Sequence, residues 1–171
     1  ITWDDFINTR KIRGISEKRK LIYNNKLLEA KKQFLDEDIN FFLKFPSVET
    51  WRLYDYFRDS CIFLDIEIGF NNKDIVLIGM FDGFNTKTIV KNYNLEKEIF
   101  LNEINKYKLL ITFNGKAFDV PIIEKFFGIK ITLLHIDLKH TCARLGLKNG
   151  LKEIEKTLNL KRPESLYGNP Y

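Results

Sequence analysis

The sequence predicts an α/β fold: a mixed five-stranded sheet flanked by helices and preceded by a helical N-terminal segment. Three observations predict it. Strand signals are sparse over residues 1–58 and frequent after residue 60. Three β-rich runs then succeed one another across hairpin-type turns, as in an antiparallel meander. Two further β-rich runs each follow a helical stretch. The order βββαβαβαα lets those last two strands lie parallel to the first through crossovers.

Each element has its own local reason. In "ISEKRKLIYNNKLLEAKKQFLDED", Ile15, Leu21, Ile22, Leu27, Leu28, Phe34 and Leu35 recur at roughly helical spacing, and Ser16 is the expected N-cap. Pro46 breaks the next apolar stretch, and a short helical piece follows it. "CIFLDIEI", "DIVLIGMF" and "KTIVKNY" are the three β-rich runs, joined by "GFNNK" and "DGFNT". "NLEKEIFLNEINKY" reads as a helix with Asn94 as its cap, and "KLLITF" as the fourth strand. "FDVPIIEKFFG" is a helix with Pro121 in its first turn and Gly128 at its end. "KITLLHI" is the fifth strand, and "DLKHTCARLG" and "LKEIEKTLNL" are two further helices. The expected organisation is a helical segment over 1–58 and a sheet domain over 59–171.

Composition narrows the function classes. A hydrophobic fraction of 44% with fifteen Phe excludes a disordered chain and suffices for one packed core in 171 residues. The net charge of +5 is compatible with a polyanionic partner. Cys61 and Cys142 show no C-x-x-C spacing, so a reducing cytoplasm is the simpler setting than a disulfide framework. No apolar run approaches the ~20 residues of a membrane span, and no signal peptide is visible.

The chemistry concentrates on acids. Asp65 and Glu67 interrupt the apolar run 61–70. Side chains two apart on a strand share a face, so the two carboxylates stand side by side. Their repulsion is relieved by a hard divalent cation with oxygen ligands, or by a strand face that meets water. Asp119 opens the helix after the fourth strand. By itself it reads as a helix N-terminal acid. If the fourth strand lies parallel to the first, Asp119 also comes beside Asp65.

"FLDIE" on a first strand and "ITFNGKAFD" after a fourth resemble the first two motifs of the DEDD, or DnaQ-like, RNase H-fold 3′→5′ exonucleases. The resemblance is closest to the branch called YprB-like, or RNase H-like domain 2. Trp51-Arg52-Leu53 resembles the segment that precedes the first motif in that branch. Asp137-Leu138 through Arg144 and Leu151 through Leu158 resemble its later helices. The resemblance spans residues 51–171 and implies an RNase H-like fold. It also implies that Asp65, Glu67 and Asp119 are catalytic and hold two Mg²⁺ or Mn²⁺ ions. In such centres one ion activates the attacking water and both stabilise charge on the scissile phosphate. The implied substrate is single-stranded DNA or RNA. Asn114 and Lys116, in the turn before Asp119, are the expected substrate-binding residues.

The sequence departs from that pattern in two places. The family's third motif, Tyr-x₃-Asp or His-x₃-Asp, supplies the fourth acid. Here His135 is followed four residues later by Lys139, and His140 by Arg144. The only later Asp is Asp137, which reads as the N-cap of its helix, with a metal-ligand role as the other reading. Either the motif lies beyond Tyr171, or the domain is a catalytically incomplete module that binds nucleic acid or a partner. Second, "DIEIGF" stands where the family more often has Asp-Ile-Glu-Thr-Thr-Gly. Outside these motifs, "RKIRGISEKRK" carries six cations against one Glu, suited to phosphates or to a solvated face. The first twenty residues also resemble half of a helix-hairpin-helix region. "KRPE" is expected to be a loop near the site entrance.

Overall fold

The computed structural model describes residues 2–70 and 74–161. The chain divides into two compact units between Phe45 and Pro46. Residues 46–58, grouped with the N-terminal segment in the sequence reading, lie in the second unit. The "KRPE" loop and "LYGNPY" lie outside the described residues, apart from Lys161.

The first unit is helical. In α1 (Trp3–Asn8) Thr2 and Asp5 form a reciprocal capping box, each side chain accepting from the other's backbone N–H. Helix α2 (Glu17–Leu35) starts at Ser16, whose hydroxyl accepts from the Arg19 N–H, as the sequence predicts. Helix α3 (Ile39–Phe42) brings Phe42 onto Phe34, ring centroids 4.2 Å apart. The apolar spacing of α2 is only partly used, because Leu21, Ile22, Leu28 and Leu35 are exposed. Lys20 is buried. Its ammonium donates to Asn24 Oδ1 (2.7 Å) and to the Ile7 carbonyl (3.2 Å), so this cation of the basic segment serves the fold.

The second unit opens with a 3₁₀ segment (Ser47–Leu53) and a single turn, α4 (Tyr54–Phe57). The sheet follows: β1 (Cys61–Ile68), β2 (Ile75–Phe81), β3 (Thr86–Val90), β4 (Leu109–Thr112) and β5 (Leu134–Asp137). Its order is β3-β2-β1-β4-β5. Strands β1, β2 and β3 pair antiparallel, while β4 pairs parallel with both β1 and β5. This is the mixed sheet expected from the sequence. Helix α5 (Lys97–Ile104) and α6 (Asp119–Phe127) supply the crossovers. Helices α7 (Leu138–Arg144) and α8 (Leu151–Thr157) follow β5.

Strand periodicity decides which face is buried. Ile62, Leu64 and Ile66 of β1 join Ile78, Met80, Ile89 and Leu110 in one cluster with Phe100, Ile104 and Ile123 of α5 and α6. Full burial of each such side chain contributes about 1.5–3 kcal/mol. Strand β4 is buried along its whole length, as a central parallel strand is.

Two local expectations change. Asn94 does not cap α5; its side chain accepts from the Val90 N–H (2.7 Å) and closes the turn after β3. The fifth strand is shorter than "KITLLHI", because β4 offers only four residues to pair with it. Ends at Pro121 and Gly128 are as expected, with Gly128 left-handed at φ 62°. Among the described residues no helix is long and apolar enough to cross a membrane.

Candidate functional site

The acids of β1 lie on the opposite face from the core. Asp65 and Glu67 are both exposed, while Leu64 before them and Ile66 between them are buried. Leu64 and Ile66 therefore bury themselves on the helix side, away from the face that carries the carboxylates. Of the two ways offered to relieve their repulsion, an open strand face is present: β1 is central in the sheet, yet the face that carries the acids is exposed. Asp65 stands opposite Gly79 of β2, which has no side chain to cover it. A bulge between Glu67 and Ile68 ends the regular pairing beyond it.

Asp119 reaches this region for a definable reason. Strand β4 pairs with β1 only from Cys61 to Phe63, so β1 runs on without a neighbour on that side. Asp119 Oδ1 accepts the Ile66 N–H at 3.1 Å and fills the gap left by β4. Asp119 is 3% exposed. Burial pushes its carboxyl above the usual range, and the charge of Asp65 pushes the same way. Asp65 is raised too, chiefly by desolvation among apolar neighbours despite its open area. The structure thus brings Asp65 and Asp119 together. Among the described residues, no three His, Cys, Asp or Glu side chains form a group able to hold a metal ion.

The turn before Asp119 is built by Asp137. Its Oδ1 accepts the N–H groups of Asn114 (2.8 Å) and Lys139 (3.0 Å), and its Oδ2 accepts that of Lys116 (3.0 Å). Asp137 is therefore the N-cap of α7, and its two oxygens are committed to three backbone donors. Asn114 adopts a left-handed φ of 68°, and its side-chain oxygen accepts from Lys139 Nζ (3.0 Å). Gly115 has no room for a side chain: an added Cβ would lie 2.3 Å from Thr112 Oγ1. That hydroxyl accepts the Gly115 N–H (3.1 Å) and bonds His135 Nε2 (2.8 Å). Burial, with the charge of Lys116, pushes His135 down to about 4. It is a neutral structural imidazole at physiological pH.

The Lys116 ammonium meets the Ser47 carbonyl at 3.5 Å. Burial pulls its pKa down, while Asp137 opposes that shift. Over the open face of β1 lies a groove of about 410 Å³ whose lining includes Phe63, Asp65, Phe81, Ile111, Phe113 and Leu138. Sequence reasoning missed these apolar walls and the Thr112–Gly115 contact. The place of Phe63 on the same strand face as Asp65 and Glu67 was the available signal for the walls. Cys61 and Cys142 are free thiols.

A family model described as RNase_H superfamily matches residues 62–169. No curated protein and no solved structure gives a significant match. The matched region covers more than half of the chain and holds the whole β2–β5 course with Asp65, Asp119 and Asp137, so the chain belongs to the RNase H superfamily.

Proposed function

We propose that this domain is a nucleic-acid-binding module on an RNase H fold whose two-metal centre is incomplete. One observation carries the reading. Asp65 and Asp119 converge, but among the described residues no third ligand joins them in a metal-holding group. Two ions ~3.5–4 Å apart need several carboxylates converging on one point. The residues at hand do not supply that cage, so no reaction step is derived through it. The net charge of +5 suits a phosphodiester backbone, and an aromatic-walled groove suits unstacked bases. Single-stranded DNA or RNA is the proposed partner. Two free thiols and no membrane-spanning helix among the described residues suit the cytoplasmic setting proposed with it.

A second reading draws on the acid pair itself. Asp65 and Asp119 lie in stretches that resemble the first and second motifs of the DEDD exonucleases of the YprB-like branch. In that reading Asp65, Glu67 and Asp119 are catalytic ligands of Mg²⁺ or Mn²⁺, and a further acid comes from elsewhere. One experiment separates the two. Labelled single-stranded oligonucleotides are titrated with the protein over a range of salt, with and without Mn²⁺. The module binds with an affinity that falls with salt and leaves the strand intact. Mn²⁺-dependent release of mononucleotides, abolished by Asp65→Ala, would replace it with the exonuclease. Absence of any binding at low salt refutes the module.

A further inference from the structure

Beyond the groove over Asp65, the open sheet face continues into two more cavities. The first, about 300 Å³, has Trp51 and Tyr54 on one wall and shares Phe63, Ile111 and Leu138 with the groove. The second, about 310 Å³, lies between the Ser47–Leu53 segment and α7. It shares Trp51, Ile136 and Thr141 with the first and adds Lys116, His140 and Arg144. Through these shared lining residues the three cavities neighbour one another, apolar and aromatic in the middle and cationic at the β5 edge. Trp51 and Tyr54 are 38% and 41% exposed, so part of each ring is accessible.

The charge at that edge is uneven. Lys116, Lys139, Arg52 and Arg144 lie beside the carboxylates of Glu49 and Asp137. Glu49 is shared by Arg52 and Arg144. Asp137 is occupied by three backbone donors. Lys116 is left half-buried with one carbonyl at the limit of hydrogen-bond reach. The charge of Asp137 acts on this ammonium, but its oxygens are committed to backbone donors, so an incoming anion gains a charge-assisted bond on a half-buried cation.

We propose that the cavity between the Ser47–Leu53 segment and α7 receives a backbone phosphate of a single-stranded nucleic acid on Lys116, with an adjacent base lying against Trp51 and Tyr54. The proposal rests on the binding-module reading and names the surface that performs it. The Arg52 guanidinium lies over the Trp51 ring, 4.5 Å from its centroid, and Trp51 and Tyr54 both line the cavity that a base would enter. The apolar trough beyond them leads towards Asp65.

The test uses the whole protein and a fluorescein-labelled oligothymidylate, with anisotropy read over a salt series. Lys116→Gln is expected to weaken binding several-fold at low salt and to reduce the salt slope by ~0.7, the value of one phosphate contact on a single strand. Tyr54→Ala is expected to weaken binding about tenfold with the salt slope unchanged. Ultraviolet cross-links should map to Trp51 or Tyr54 in the parent protein. Circular dichroism melts confirm that both variants fold. If both folded variants bind like the parent while Arg10→Ala/Lys11→Ala/Arg13→Ala loses binding, this surface is wrong and the module reading survives. If the parent does not bind at low salt, both fall. Displacement by polyglutamate as effective as by unlabelled oligothymidylate would also overturn the nucleic-acid assignment of this cavity.

Discussion

Replacing Asp137 tests how the turn before Asp119 is held. The carboxylate is 3% exposed and accepts three backbone N–H groups, two on Oδ1 and one on Oδ2. Asp137→Asn keeps an acceptor at Oδ1 and turns a donor amide towards the Lys116 N–H. That removes one charge-assisted bond, about 1.5–3 kcal/mol, and weakens the other two by loss of charge. Asp137→Ala leaves all three donors without their partner. At about 1–3 kcal/mol for each stranded group, and with water reaching part of the turn, a total near 4 kcal/mol is expected. For a chain of this length each kcal/mol moves the melting temperature by about 2–4 °C. Asn should therefore lower Tm by roughly 5 °C, and Ala by ~10 °C or more. Urea unfolding followed by circular dichroism measures the change in midpoint, and an unchanged m-value ties it to stability. If Asp137→Ala costs under about 0.5 kcal/mol, the level of an ordinary surface change, then Asp137 does not hold the turn. The same substitution should release Lys116 and so weaken oligonucleotide binding; a lost cap on α7 alone would not do this.

Three further outcomes follow from single contacts. Gly115→Ala places a Cβ against Thr112 and should cost about 1–3 kcal/mol in urea melts; Thr112→Ser in the same chain should restore part of it. His135 has a folded pKa near 4, below its unfolded value near 6.5, so the unfolded chain takes up the proton first. Its contribution is complete above that window and is lost as pH falls from 6.5 towards 4, by about 2–3 kcal/mol. Proton NMR should find this imidazole still neutral at pH 5, and ordinary titration near 6.5 would refute the assignment. Glu103 is buried, which by itself would raise its carboxyl, but Lys87 and Lys106 hold it below the ordinary glutamate value. Its contribution is present above that ordinary value and is lost as pH falls through the lower folded value. Glu103→Gln should cost about 1–2 kcal/mol at pH 7, because both lysines are half-exposed and screened, and little at pH 3. Equal costs at the two pH values would show that charge is not the cause.

The sequence was most legible where one local rule decides the outcome. Ser16, Pro121, Gly128 and Asp137 mark helix ends by cap chemistry and fixed φ, and the helices end there. The alternation in β1 put Asp65 and Glu67 on one face. It did not say whether that face is covered, since covering depends on elements remote in sequence. Asn94 was misread because its side chain can serve a helix N-terminus or a strand-end turn, and the chain path after β3 chooses between them.

The sequence alone determined the mixed five-stranded sheet, its helical crossovers and the shared strand face of Asp65 and Glu67. These follow from periodicity and turn chemistry, both short-range in the chain. Only the tertiary structure decided that Asp119 reaches Asp65 by filling the backbone gap beyond the end of β4. Only it turned Lys116 towards Ser47 and joined Trp51, Tyr54 and Phe63 along one open face. Those placements come from hydrogen bonds and contacts between segments tens of residues apart, which no local pattern encodes.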